Sequence, residues 1–205
     1  MKLMRTPLSD DDIKSILGEN IKIVLYPDLS KYQNLRELLN NEKDCCIILY
    51  EEKHLEGHWT CITRLYDLFE FFDSYGIRFD SELKWLSWRT RLQLNEAVPY
   101  LSNLLQGEIY EYNKVKCQDD NPDIETCGDH VCHFLHCFLH LNMDLESYKE
   151  YMNALRKEMN QPYDYIVASY VRASLRDAGF PPFGENRLSG RQCEIDKHAL
   201  SLDVK

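Results

Sequence analysis

The spacing of hydrophobic positions changes several times along the chain, and each change marks an element. Ser9-Asp10-Asp11-Asp12 reads as a helix start, with Ser9 as cap and acids in the first turn. Ile13, Ile16 and Leu17 follow at helical spacing until Gly18 stops them. Ile21 to Tyr26 is β-branched and strand-like, ended by Pro27, and Leu29 to Leu39 predicts a short helix through Leu35, Leu38 and Leu39. Cys45 to Tyr50 is an unbroken apolar run, the pattern of a buried strand. After a polar turn from Glu51 to Gly57, His58 to Leu65 and Leu68 to Asp73 predict neighbouring strands, with Tyr66-Asp67 as a tight hairpin. Ser74-Tyr75-Gly76 closes the second with turn residues.

Leu94 to Leu105 is helical in period, Glu108 to Cys117 is strand-like, and Gln118 to Glu125 is a loop rich in Asp, Asn and Pro. From Cys127 the period is helical again, with Val131, Phe134, Leu135, Phe138 and Leu141 on one stripe. Leu145 to Leu155 and Tyr163 to Leu175 predict two more helices, stopped at Asp177-Ala178-Gly179 and blocked by Pro181-Pro182. Strands in the centre and helices at both ends predict an α+β fold, a central mixed or antiparallel sheet flanked by helices. The expected organisation is one domain over residues 1–180 and a polar C-terminal arm or tail over 181–205.

Composition narrows the function. The 205 residues carry 24 Lys+Arg against 34 Asp+Glu, a formal net charge of −10, which argues against sequence-independent grip on nucleic acid. No apolar run approaches the ~20 residues of a membrane span, and Met1 to Pro7 has no signal-peptide core. A cytoplasmic, reducing environment is therefore expected, and the eight cysteines are expected as thiols, not as a disulfide framework. Cys45, Cys46, Cys61 and Cys132 read as core, where a thiol behaves as a small hydrophobe.

Four positions on these elements suit thiol chemistry. Cys127 opens a helix, where free N–H groups and the macrodipole favour a thiolate. His58 and Asp73 fall on adjacent strands, which can bring a base and its orienting carboxylate side by side across the ladder. Gln118 precedes the Cys127 loop and can donate to a developing oxyanion, with the Cys127 backbone N–H as second donor. Gly128 lets the chain turn tightly beside the thiol. Each residue alone has an ordinary role, as packing, turn former or solvated side chain; the ordered set is what points to catalysis.

His58-Trp59, Asp73-Ser74, Gln118 and Cys127-Gly128, in that order, resemble the signature of adenain, the adenovirus protease, and of the related SUMO- and ubiquitin-like-protein-specific proteases. The likeness is best to the adenain-like maturation proteases of virophages and Maverick/Polinton-type elements, and it runs over roughly residues 8–178. The resemblance implies a cysteine endopeptidase with His58 as general base, Asp73 as its orienter, Gln118 as oxyanion donor and Cys127 as nucleophile. Trp59 and Gly128 would contact substrate. Cleavage after Gly or another small residue is implied, with viral capsid or other virion precursors as substrate, in the host cytoplasm and the virion. An activating peptide is a further partner to test; the acidic charge speaks against activation by DNA. No cofactor is implied.

Other readings share these residues. A deconjugating protease of ubiquitin-like proteins, an acyltransferase and a catalytically silent interaction module would all fit the same fold. His130, three residues from Cys127, is a rival base. His133, His136 and His140 form a stripe that invites a metal reading, but no paired CxxC lies elsewhere, and no metal site is expected. Papain-like enzymes place Cys before His and are excluded by order.

Overall fold

The computed structural model describes residues 4–54 and 56–177; the expected arm at 181–205 lies outside them. Helix α1 (Asp10–Leu17) starts as its sequence dictates: the Ser9 hydroxyl accepts from the Asp12 N–H, and the Asp12 side chain accepts from the Ser9 N–H. Five strands form a mixed sheet in chain order, β1 (Ile23–Leu25), β2 (Lys43–Lys53), β3 (Glu56–Leu65), β4 (Leu68–Phe72) and β5 (Ile109–Tyr112). The central pairs β2/β3 and β3/β4 are antiparallel, and the outer strands β1 and β5 run parallel to their neighbours.

Both faces of the sheet are covered, which explains the unbroken apolar run in β2. Ile47 and Leu49 pack with Trp59, Cys61 and Phe72 against Val131, Phe134, Leu135 and Phe138. Those last four lie on α5 (Cys127–Leu141), which is joined on this face by α6 (Leu145–Met159) and α7 (Tyr163–Asp177). Cys46, Ile48 and Tyr50 point the other way, onto Tyr26, Leu35, Leu38 and Leu101. A strand buried on both faces has no polar side to alternate with. Burial of large side chains on both faces, each contributing about 1.5–3 kcal/mol, makes this two-sided packing the main stabilising element.

The α+β architecture is as expected, and several boundaries differ. Leu29 to Leu39 is not one helix but a 3₁₀ segment (Tyr26–Lys31) and a single turn, α2 (Leu35–Leu38), capped by the Asn34 side chain. The helical period from Leu94 to Leu105 is interrupted because Asn95 is left-handed (φ 59°) and Pro99 precedes the turn. Within it only α4 (Tyr100–Leu104) is helical, and α3 (Trp88–Gln93) ends just before Leu94. Glu108 to Cys117 is strand only over β5, because the Asn113 side chain then bonds the backbone of Asp73 and Val115 and turns the chain away. Leu141 ends α5 and is half exposed, so the buried stripe stops at Phe138.

Candidate active site

Four segments converge at one end of the sheet. β3 brings His58, the end of β4 brings Asp73, the loop after β5 brings Gln118, and α5 begins at Cys127. The last paired residues of β3 and β4 are Cys61 and Phe72, so His58 and Asp73 lie beyond the ladder. They meet diagonally, not directly across it, with His58 Nε2 2.7 Å from Asp73 Oδ2. Asp73 is fully buried, and its other oxygen, Oδ1, accepts from the Tyr75 N–H at 2.6 Å.

His58 is sandwiched between elements. Its ring stacks on Tyr75 at 5.1 Å and meets the edge of Trp85 at 5.7 Å. Burial alone would pull the imidazole down; the charge and hydrogen bond of Asp73, with those of the Cys127 thiol, hold it well above the usual histidine value. Burial would raise Asp73, but the His58 charge and hydrogen bond outweigh it and hold the carboxyl below its ordinary range. The Cys127 thiol is thus among the groups that raise His58, after the Asp73 carboxylate. Tyr75 stays a neutral phenol, pushed up to about 12 by burial and by Cys127.

Gln118 is buried and held at both ends of its amide. Ser74 Oγ donates to its Oε1 at 2.7 Å, and its Nε2 donates to the Ile124 carbonyl at 3.2 Å. The backbone repeats the link, since both Cys117 N–H and Gln118 N–H donate to the Ser74 carbonyl. A cleft of about 560 Å³ opens on this group, lined by Gly57, Trp59, Tyr75, Gln118 and Cys127 among others. A smaller cavity of about 340 Å³ lies beside β5 and α6, away from His58 and Cys127.

Trp59 borders the cleft but is nearly buried, its Nε1 donating to the Leu8 carbonyl at 3.1 Å. Gly128 serves close packing: a Cβ there would sit 3.0 Å from Leu8 Cβ and 3.2 Å from Trp59 Cδ1. Gly57 has a stricter role. A Cβ at that position would lie 1.8 Å from the Tyr50 carbonyl oxygen, so only glycine lets β3 approach β2 just before His58. An isolated glycine inside a strand pattern is a readable signal for such an approach.

His130 faces a different carboxylate. It is buried, with Nε2 3.1 Å from Asp164 Oδ1. Asp164 also accepts from the Thr126 hydroxyl and the Asp119 N–H, tying α7 to the residue before Cys127 and to the Gln118 loop. Its carboxyl, which burial alone would raise, is held low by His130 and these donors. Nothing in the sequence pattern singles out Asp164, because its partners Asp119, Thr126 and His130 lie 34 to 45 positions away in the chain. His133 is hydrogen-bonded to Tyr148 Oη at 3.0 Å and is pushed down to about 3, mainly by burial.

Burial also raises the thiols of Cys45, Cys46, Cys61, Cys117, Cys132 and Cys137, which disfavours their thiolate forms. All seven cysteines among the described residues are free. Among the described residues, no helix is long and apolar enough to cross a membrane. His58, Asp73 and Glu82 are close enough together to enclose a cation.

No protein-family model matches the chain. Among solved structures it is similar to the central domain of the uncharacterized Lpg1148 protein from Legionella pneumophila, at 14% identity and a TM-score of 0.39 over 83% of this chain and 99% of that one. It is also similar to ChlaDub1 from Chlamydia trachomatis, at 15% identity and a TM-score of 0.36 over 88% of this chain and 77% of that one. A curated relative is nearer in sequence: over 156 residues, 73% of this chain and 85% of the relative, 36% of positions are identical to the uncharacterized protein V9 of Sputnik virophage. The chain therefore belongs to the family of that virophage protein.

Proposed function

We propose that this protein is a cysteine endopeptidase in which Cys127 is the nucleophile, His58 the general base and acid, Asp73 its orienter and Gln118 an oxyanion donor. One observation carries the reading: the imidazole that bonds a buried carboxylate is raised also by the thiol at the start of α5. With Nε2 on Asp73, the nitrogen left for the thiol is Nδ1. An imidazolium beside sulfur is the setting in which a thiolate is stabilised.

The reaction then follows in two halves. The Cys127 sulfur attacks the scissile carbonyl, and the oxyanion takes hydrogen bonds from the Gln118 amide and the Cys127 backbone N–H. His58 gives its proton to the leaving amine as the C–N bond breaks, which leaves a thioester. Water adds to the thioester, His58 takes its proton, and the C–S bond breaks to release the carboxylic product, which restores the Cys127 thiolate beside the His58 imidazolium. Asp73 keeps the ring oriented throughout and stays ionised.

A virion precursor is the substrate class that the resemblance to adenain-like maturation proteases implies, and the virophage relationship supports a viral protein. The test is incubation with a virophage capsid precursor and, in parallel, with a ubiquitin-like fusion, followed by mass spectrometry of the new termini. Cleavage of the precursor alone, abolished by Cys127→Ala, is expected. Cleavage that survives Cys127→Ala, or cleavage only of the fusion, overturns the assignment.

A further inference from the structure

One acidic side chain next to the site is unused by the reaction above. Glu82 begins the 3₁₀ segment Glu82–Trp85, whose last residue brings its ring to His58. Glu82 is 2% exposed, and neither of its carboxyl oxygens accepts a hydrogen bond from an N–H or hydroxyl donor. One donor atom from each of His58, Asp73 and Glu82 lies within 4.8 Å of the other two. An ionised Glu82 would be desolvated, unbonded and beside a second carboxylate that already has a cationic partner.

Two arrangements relieve this: a cation among the three groups, or a proton between the two carboxyls. The cation fits poorly. Tetrahedral zinc with bonds near 2.0–2.1 Å sets its ligand atoms roughly 3.3 Å apart. His58 Nε2 and Asp73 Oδ2 are only 2.7 Å apart, a hydrogen-bond length. The proton fits the whole set, because it gives the orphaned carboxyl a partner and removes the like-charge contact at once.

We propose that Glu82 is a positioning residue: in its acid form it directs its hydroxyl hydrogen bond to Asp73, extending the series to Glu82, Asp73, His58 and Cys127. The inference rests on the catalytic reading above. Titration directions agree with it. Burial first, then the Asp73 charge, push Glu82 well above the usual carboxyl range, and the Glu82 hydrogen bond is among those that hold Asp73 low. The groups that face Glu82 are Asp73 at the end of β4, His58 on β3 and Tyr50 on β2, whose hydroxyl is raised by burial and then by Glu82. A neutral donor steadies Asp73 without adding a second anion beside the base.

The test compares Glu82→Gln and Glu82→Leu with the wild-type full chain. Infrared difference spectra against Glu82→Gln at neutral pH should show a protonated-carboxyl C=O band belonging to Glu82, a readout independent of turnover. Glu82→Gln keeps a neutral donor, so kcat should stay within about twofold and the acid limb of the kcat/KM profile should not move. Glu82→Leu should lower kcat about tenfold to a hundredfold at unchanged KM, as misplacement of a catalytic group does. A carboxylate band in place of the acid band overturns the proposal. So does an acid limb displaced by Glu82→Gln, or zinc binding that Glu82→Gln abolishes. If Cys127→Ala still cleaves while the acid band is present, the catalytic reading fails and the shared proton stands. If Glu82→Leu does not fold, Glu82→Gln and the spectrum decide.

Discussion

Ser74 Oγ donates a hydrogen bond to Gln118 Oε1 at 2.7 Å, and the Ser74 carbonyl accepts from the Gln118 N–H at 2.9 Å. Residues 44 positions apart are thereby held as one unit. The turn that ends β4 carries Asp73 and its neighbour Ser74, so the carboxylate that bonds His58 and the Gln118 amide share a single anchor. Gly76, left-handed at φ 70°, permits that turn to pack on Val115, where a Cβ would lie 2.7 Å from the carbonyl carbon.

Removal of the amide should therefore reach the reaction directly, and removal of the hydroxyl should reach it through the amide. Gln118→Ala is expected to lower kcat about 10²–10³-fold, the effect of deleting an oxyanion donor. Ser74→Ala should give a smaller loss, with KM little changed. Steady-state kinetics on a precursor peptide measures both, and equal losses would show that the hydroxyl acts in some other way.

Asp73→Asn keeps shape while it removes the charge that fixes the His58 tautomer. Turnover should fall by on the order of 10³-fold or more with KM nearly unchanged. Unchanged turnover would reduce Asp73 to a turn residue.

The His58–Asp73 pair also predicts a pH window for stability. His58 is held above its ordinary 6.5 in the fold, so its share of the stabilisation is complete below that pH and is lost as pH rises through the raised value. Asp73 is held below its ordinary 3.8, so its share is present above that pH and is lost as pH falls through the lowered value. Both contributions are complete between pH 3.8 and 6.5. Urea denaturation of wild type and Asp73→Asn across pH 3–9 should show the largest gap inside that window. A gap that does not vary with pH would refute the linkage.

Gly57→Ala places a methyl group against the Tyr50 carbonyl, where backbone and not a flexible side chain must yield. A loss of about 3 kcal/mol is expected, the upper range for overpacking. Activity should fall further than stability alone explains, because the strand shift carries His58. Thermal melts paired with activity on the still-folded fraction separate the two effects.

Much of the fold is legible in local pattern. The Ser9 capping box, the two-sided apolar run of β2, the hairpin at Tyr66-Asp67 and the helical stripe from Val131 to Phe138 all follow from spacing that neighbouring residues enforce. Local pattern fails where a distant side chain overrules it. Asn113 cuts β5 short by bonding Asp73, and the left-handed Asn95 divides the Leu94 to Leu105 period.

The candidate site divides in the same way. His58, Asp73, Gln118 and Cys127 are visible because each sits at an element end whose chemistry is local: strand, turn, loop and helix start. Ser74, Asp164 and Glu82 are not, because their roles come from contacts across 44, 38 and, for the Glu82 carboxyl, three different chain segments that meet only after the sheet closes. Order, spacing and residue type along the chain determine which groups are available for acyl transfer. Which nitrogen of His58 meets Asp73, which histidine reaches the thiol and which acid lies buried behind the pair are decided by tertiary packing. Burial, charge separation and hydrogen-bond geometry are properties of neighbours in space, and a linear pattern does not encode them.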